Sequence, residues 1–339
     1  MGRDKSPMNL GHKFQWALQG RITILFVLVV FVLFFGIMAQ GFFSPISLEN
    51  IMVSTALFLL LSLGETYVMI TGGIDLSVSS MLALSGMVSG VYISSAYHGS
   101  GSGIEITLIG LGMAIAPGLA GGAFNGLIIA NLKLNPLIVT LGTWGVFYGL
   151  AELIANGSPV GNLTPFSYTL GNGGPVAGWV VWITLAFVVA FAWIARRTRF
   201  GRYIFAVGAN REAVRRAGVN LKRHSVGVYA LAGLGAGMAG FLSMAHFQTA
   251  SPVAGSDYLL IAVAAVIIGG TPLTGGEGSI WGTVVGALII SVLENGFVML
   301  NVSAFWQLVA VGLTTILAVY FDEIQRHFRI AQAARRDAA

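Results

Sequence analysis

Apolar runs of about 20 residues recur along nearly the whole 339-residue chain, and each is long enough to cross the ~30 Å hydrocarbon layer of a bilayer. No arrangement around one water-soluble core could hide so many of them. Only helices or closed barrels satisfy every backbone polar group in lipid, and a barrel needs alternating segments of about ten residues, which this sequence lacks. With 56% apolar and 9% charged residues, and a mean hydropathy of +0.83, the chain is expected to be an all-α polytopic integral membrane protein. It reads as one transmembrane domain over 1–339, with no soluble domain set apart.

Hydropathy punctuated by Gly, Pro and charge places ten spans, at 22–43, 51–71, 76–97, 104–131, 136–155, 177–195, 225–247, 257–270, 280–300 and 304–321. The eighth is short: fourteen residues rise only about 21 Å. Its length and flanks make the first run a membrane anchor and not a cleavable signal. With ten spans and the N-terminus inside, all 18 Lys and Arg fall on one side. They lie in the segment 1–21, at Lys133, in the loop 196–224 and in the tail 322–339. The positive-inside rule asks only for a bias, so this segregation places both termini in the cytoplasm. The net charge of +5 then reports orientation against anionic headgroups and not a nucleic-acid partner.

The 46 glycines suit close helix packing in lipid. Small-xxx-small spacings occur at Gly86/Gly90, Gly118/Gly122/Gly126, Gly145/Gly149, Gly233/Gly237 and Gly282/Gly286. Gly235, Gly237 and Gly240 fit GxGxxG, but they sit inside a span with no strand before them, so packing explains them better than nucleotide binding.

No energy source is encoded. There is no GxxxxGK[ST] loop, no HExxH and no GxSxG, the five histidines are scattered, and cysteine is absent. No catalytic residue, bound cofactor or metal site is therefore expected. In the long charged loop, Asn210, Arg211, Glu212, Ala213, Val214, Arg215, Arg216, Ala217 and Gly218 are framed as a short helix. Asn210 can cap it, Glu212 favours its positive end and Gly218 can take the left-handed stop. Ala213, Val214 and Ala217 share one face. Two readings stay open on these grounds: docking into a groove of a soluble partner, and resting on anionic lipid.

Three blocks carry a resemblance that runs nearly end to end: Thr71-Gly-Gly-Ile-Asp-Leu-Ser77, then Arg199-Phe-Gly-Arg-Tyr203 with Gly208-Ala-Asn210, and Ile268-Gly-Gly-Thr-Pro-Leu-Thr-Gly-Gly-Glu-Gly278. With them the chain resembles the permease subunits of ribose-type (carbohydrate uptake type 2) ATP-binding-cassette (ABC) importers, within the branched-chain amino acid and sugar permease superfamily. The resemblance implies a bacterial inner-membrane location and a dimer with a second permease copy. It also implies a cytoplasmic ABC ATPase that carries ATP and Mg, and an extracytoplasmic sugar-binding protein. The segment 210–218 would then be the coupling helix.

Ionisable groups inside spans are expensive and so are candidates for the solute path. Glu65, with Thr66 beside it, could accept hydrogen bonds from solute hydroxyls, or serve packing alone. Asp75 could cap the third span together with Ser77, or line the Gly72-Gly73 break, an interruption of the kind that lines transport sites. Thr140, Trp144 and Tyr148 form a stripe at i, i+4 and i+8 that suits either the C–H faces of a sugar or helix packing. Asn125, Gln248, Glu294 and Asn295 are lesser candidates. A rival reading, a secondary carrier, would use Glu65 and Glu294 as proton or ion sites.

Overall fold

The computed structural model describes residues 10–175, 178–303, 305–314, 316–317 and 320, with side chains from residue 23 onward. Twelve helices follow one another: α1 (Leu10–Met38), α2 (Pro45–Ile70), α3 (Val78–Ala96), α4 (Ile104–Leu132), α5 (Pro136–Ile154), α6 (Pro165–Asn172), α7 (Gly178–Arg197), α8 (Arg199–Ala209), α9 (Arg211–Arg216), α10 (Leu221–Phe247), α11 (Tyr258–Ile268) and α12 (Ile280–Met299). A further apolar helix covers Phe305–Thr314. The described residues contain no strand, only an isolated bridge in which Val160 and Ala250 exchange backbone hydrogen bonds of 2.8 Å.

Seven helices (α2, α3, α4, α5, α7, α10 and α12) are long and apolar enough to cross a membrane, and Thr23–Met38, α11 and Phe305–Thr314 are shorter apolar helices. These match the ten expected spans in position. The fold is all-α and polytopic, and its outer surface needs lipid: Ile37, Leu153, Ile138 and Phe26 are 81, 73, 67 and 66% exposed.

Several boundaries differ from expectation for local reasons. The second span starts at Pro45 and not at 51, because the Ser44 side chain accepts from Ser47 N and Pro45 supplies a preset first turn. Helix α1 already runs from Leu10, inside the segment expected to be a plain cytoplasmic lead. The stretch 196–224 is no loop. It holds the end of α7, all of α8 and α9, and the first turn of α10, with Thr198, Asn210 and Asn220 each capping the helix that follows. Helix α6, eight residues of mixed polar and apolar character, is hidden in the sequence by its shortness and composition. The tail 322–339 lies outside the described residues, as do residues 1–9.

Helix α10 is the hub, packed against α4, α3, α2 and α6. Glycine makes this possible. A Cβ on Gly233 would lie 1.9 Å from the Gly118 carbonyl oxygen, and one on Gly122 would lie 2.1 Å from that of Tyr229. The GxGxxG glycines face three different helices: Gly235 meets Leu60 of α2, Gly237 meets Ala114 of α4 and Gly240 meets Leu82 of α3. The motif is a packing device. Gly145 and Gly149 are the exception among the spaced glycines, since a Cβ at either position would have no atom within 4 Å. That pair does not pack within the chain, because the side of α5 that carries it faces away from α3 and α4.

The two ends of the bundle are distinct. At one, the basic end, lie α8, α9, Lys133 and the C-terminus of α2; at the far end, α6 covers α10. There Asn172 Nδ2 donates to the His246 carbonyl at 3.0 Å, and Gly171 sits so close that a Cβ would meet Ala245 O at 2.1 Å.

Candidate functional site

Four of the ten solute-path candidates converge in one buried node between α2, α3, α4 and α5. Glu65, five residues before the end of α2, is wholly buried. Both of its carboxylate oxygens lie within reach of the backbone N–H of Asp75, at 3.1 and 3.3 Å. Asp75 Oδ1 accepts from Ser77 N at 2.9 Å and Ser77 Oγ at 2.6 Å, and Asn125 Nδ2 on α4 donates to Ser77 Oγ at 2.7 Å. Thr140 Oγ1 on α5 bonds its own helix at Pro136 O, 2.9 Å, and reaches Ile74 O at 3.3 Å.

Asp75 Oδ1 takes the backbone N–H of Ser77, two residues on and already helical, which is the bond a capping carboxylate makes, while Ser77 makes no side-chain cap bond of its own. The node is no open path. Glu65, Asp75, Asn125 and Thr140 each have no solvent exposure, and among the described residues no Lys or Arg pairs with either carboxylate. Asp75 Oδ2 and Asn125 Oδ1 keep unused acceptor capacity. The arrangement can hold the α2–α3 break rigid, and it retains polar atoms that a rearrangement would expose.

The other candidates lie elsewhere. Thr66 ties α2 to α12 through Thr283, Oγ1 to Oγ1 at 2.8 Å. Trp144 and Tyr148 stack with ring centroids 5.7 Å apart and planes 4° apart, outside the node, with Trp144 38% exposed. Gln248 is the left-handed C-cap residue of α10 at the far end, where its Nε2 reaches Ala245 O. Asn295 donates to Ser47 Oγ at 2.8 Å, pinning α12 to the first turn of α2. Glu294, the residue before it, is half-buried and within electrostatic reach of Asp257. At 1.5 Å per residue, Glu65 sits about 8 Å from the basic end of α2, and Glu294 about 21 Å from that of α12. The two glutamates thus lie at different depths, and the structure brings no ion site together from them. Among the described residues no group of three or more His, Cys, Asp or Glu could hold a metal.

The second locus is α9. Asn210 Oδ1 accepts from Ala213 N at 2.9 Å, and Gly218 takes φ +81°, so the short helix forms with both expected stops. Glu212 pairs with Arg215 at 2.7 Å and Arg216 at 3.0 Å. Hydrogen bonds from those two arginines hold its carboxyl below the usual glutamate range, and the hydrogen bond to Glu212, with its charge, in turn raises the Arg215 guanidinium above its ordinary value. Of the expected apolar face only Val214 is buried; Ala213 and Ala217 are exposed, as are Arg211, Arg215 and Arg216. The helix therefore projects from the bundle on one anchor.

What joins the two loci is backbone. Gly276 N donates to Ile70 O at 2.8 Å, and a Cβ on Gly208 would meet that same oxygen at 1.8 Å and Gly276 N at 2.4 Å. A Cβ on Gly275 would lie 2.8 Å from Gly72 N. The three sequence blocks, far apart along the chain, thus meet at one point at the basic end, between α2, α8 and the turn 269–279. Sequence reasoning singles out each block without seeing that they touch. The signal lies in their glycines, the only residues that fit so close an approach.

Comparison with known proteins agrees with this geometry. The family model described as the branched-chain amino acid transport system / permease component matches residues 47–319. The chain is 37% identical over 305 residues to the ribose import permease protein of Escherichia coli (strain K12), covering 88% of this chain and 92% of that one. It is 38% identical over 303 residues to the ribose import permease protein of Bacillus subtilis (strain 168), covering 88% and 90%. To the D-allose transport system permease protein of Escherichia coli (strain K12) it is 32% identical over 326 residues, covering 95% and 98%. No solved structure matches it. The helical bundle, the meeting of its three signature blocks and these relatives together show that the chain belongs to the branched-chain amino acid transport permease family, as a permease of the ribose-type ABC importers.

Proposed function

We propose that the chain is the translocating subunit of an ABC importer for a small sugar or sugar-like solute, working as a dimer with a second permease copy. An extracytoplasmic binding protein delivers the solute. A cytoplasmic ABC ATPase carrying ATP and Mg drives the cycle and docks on α9, residues 210–218. The chain itself is non-catalytic and binds no cofactor. It lies in the bacterial inner membrane with both termini in the cytoplasm, so the basic end is the cytoplasmic one. The sugar reading rests on the relatives' ribose and allose names, and the orientation on the one-sided Lys and Arg.

The observation that carries the ATPase docking is the form of α9. It is capped at both ends, anchored through Val214 alone and joined through α8 to the end of α2. A push on it has a backbone route to the break between α2 and α3, where the Glu65–Asp75 node sits. The cycle is then a gating change by rigid-body movement of packed helices, in which unmaking the node would free Asp75 Oδ2 and Asn125 Oδ1.

Reconstituted with its partner ABC ATPase and sugar-binding protein, the chain should take up labelled sugar only when ATP is present. The double variant Glu212→Lys, Ala213→Glu changes two exposed positions of α9 and should leave the fold intact while ATP hydrolysis no longer yields uptake. Uptake by the lone chain on an ion gradient would overturn the proposal, and wild-type coupling in the double variant would remove α9 from it.

A further inference from the structure

Beside α9, at the basic end, a cleft of about 40 Å³ is lined by Thr71, Gly73, Arg211, His224, Ser225 and Tyr229 among others. One water needs roughly 10–15 Å³, so there is room for a few waters or one small ion. Its walls carry polar groups that no neighbour satisfies. His224 is 6% exposed and its Nε2 has no partner; Tyr229 is 3% exposed and its hydroxyl has none. Leaving such groups buried and unbonded is costly. The His224 ring is held by Phe200 at 4.7 Å and Tyr203 at 6.2 Å, so its orphan nitrogen is fixed and not free to swing to another acceptor.

The electrostatics select the sign of the ligand. Arg211 lines the cleft and has no carboxylate partner among the described residues. Leu221, His224 and Ser225 belong to the first turns of the 27-residue α10, and although Asn220 already takes the Arg223 and His224 N–H groups, the helix dipole there favours an anion. No Asp or Glu lines the cleft. Asp75 and Glu65 act on the Tyr229 hydroxyl from nearby, and Arg211 opposes them. Glu65 is engaged with the Asp75 N–H and Asp75 Oδ1 with Ser77, which leaves Asp75 Oδ2 as the one unpartnered carboxylate oxygen of the node, and neither carboxylate lines the cleft.

We propose that this cleft is a binding site for a small phosphate oxyanion, held by the Arg211 guanidinium, the Tyr229 hydroxyl and the Nε2–H tautomer of His224. A free phosphate, or the phosphate end of a soluble ester whose remainder projects outward, fits a cleft of this size open to the basic end. Because Arg211 is the first residue of α9 and the other two belong to α10, an occupied site ties the docking helix to the hub. Cytoplasmic phosphate compounds would then act on coupling, a consequence that rests on the transport reading; the binding itself does not.

The test uses the purified full chain in phospholipid-free detergent micelles, with labelled inorganic phosphate as the probe in a chloride background. Saturable binding of one phosphate per chain is expected. Arg211→Ala should weaken it by about tenfold or more, and Tyr229→Phe, which removes a single oxygen, by roughly three- to tenfold. Lys222→Ala alters an exposed cation outside the cleft and should change nothing. Absence of saturable binding, or equal loss in Lys222→Ala and Arg211→Ala, overturns the site. Native mass spectrometry covers the lipid source: a copurified phospholipid that inorganic phosphate does not displace would overturn the soluble ligand. Failure of ATP-driven uptake in the same preparation would touch the transport reading alone.

Discussion

Helices α4 and α5 are adjacent in sequence and both carry glycines four residues apart, yet they use them oppositely. On α4, Gly118, Gly122 and Gly126 press against the backbone of α10, where a Cβ would come within 2.3, 2.1 and 2.6 Å of main-chain atoms. On α5, Gly145 and Gly149 meet nothing. The same spacing makes a seam in one helix and an open face in the next. A small-residue motif reports that two backbones can approach; whether they do depends on which side of the bundle the stripe faces. Between these extremes lies the basic end, where glycines bring turns together, and the exposed α9, which is held by one buried valine.

The largest effect expected of this contrast is at the seam. Gly233→Leu places carbon where the Gly118 carbonyl oxygen already stands, and overpacking of this kind costs about 3 kcal/mol or more. The variant should fail to give a monodisperse peak on size exclusion; a well-folded product would erase the distinction between the two helices. Next comes the node. Asn125→Leu removes the donor to Ser77 Oγ from a fully buried site, a loss of about 1–3 kcal/mol that should lower the thermal transition in detergent. An unchanged transition would mean that the node adds no rigidity to the α2–α3 break.

Smaller changes belong to the exposed parts. The folded-state value of Glu212 is depressed by Arg215 and Arg216, so its pairs are fully present above the ordinary glutamate value and are lost as pH falls through the lowered one. Amide exchange in α9, corrected for intrinsic pH dependence, should become less protected on acidification through that range, while the α4–α10 seam keeps its protection; parallel loss in both would deny α9 its independence. Smallest of all is Gly145→Ala, which meets no neighbour and should raise the stability by only the helix-propensity difference, about 0.5–1 kcal/mol. Should Gly145→Leu leave the melting transition intact and yet change the size of the assembled particle, the open face of α5 is where another copy seats.

Most of the architecture is legible in the sequence because hydrophobic length is a local property: ten apolar runs map to the seven long and three shorter apolar helices. The coupling segment is readable for the same reason, since Asn210 and Gly218 act within one or two turns. Helices α6 and α8 are not, because neither is apolar enough to count as a span and both gain their order from tertiary contact, α6 under α10 and α8 against α2. Of the candidate path residues, the sequence can nominate Glu65, Asp75, Asn125 and Thr140 singly but cannot reveal that they share one network. Nor can it show that Asn295 serves Ser47, or that Trp144 and Tyr148 lie outside the node. Tyr229 carries no signal at all: one more tyrosine in an apolar helix shows its worth only by what surrounds its hydroxyl.

The contact of Gly208, Gly276 and the Ile70 carbonyl contains no side chain on any of its three sides. Side-chain contacts have slack, because a rotamer can swing aside and absorb a displacement; peptide groups in direct touch have none. A shove delivered at α8 therefore arrives at the end of α2 undamped. For the same reason replacing Gly208, even by alanine, would part three segments at once, because its Cβ would meet both the Ile70 carbonyl oxygen and the Gly276 nitrogen; that position tolerates change only if the backbone around it moves together.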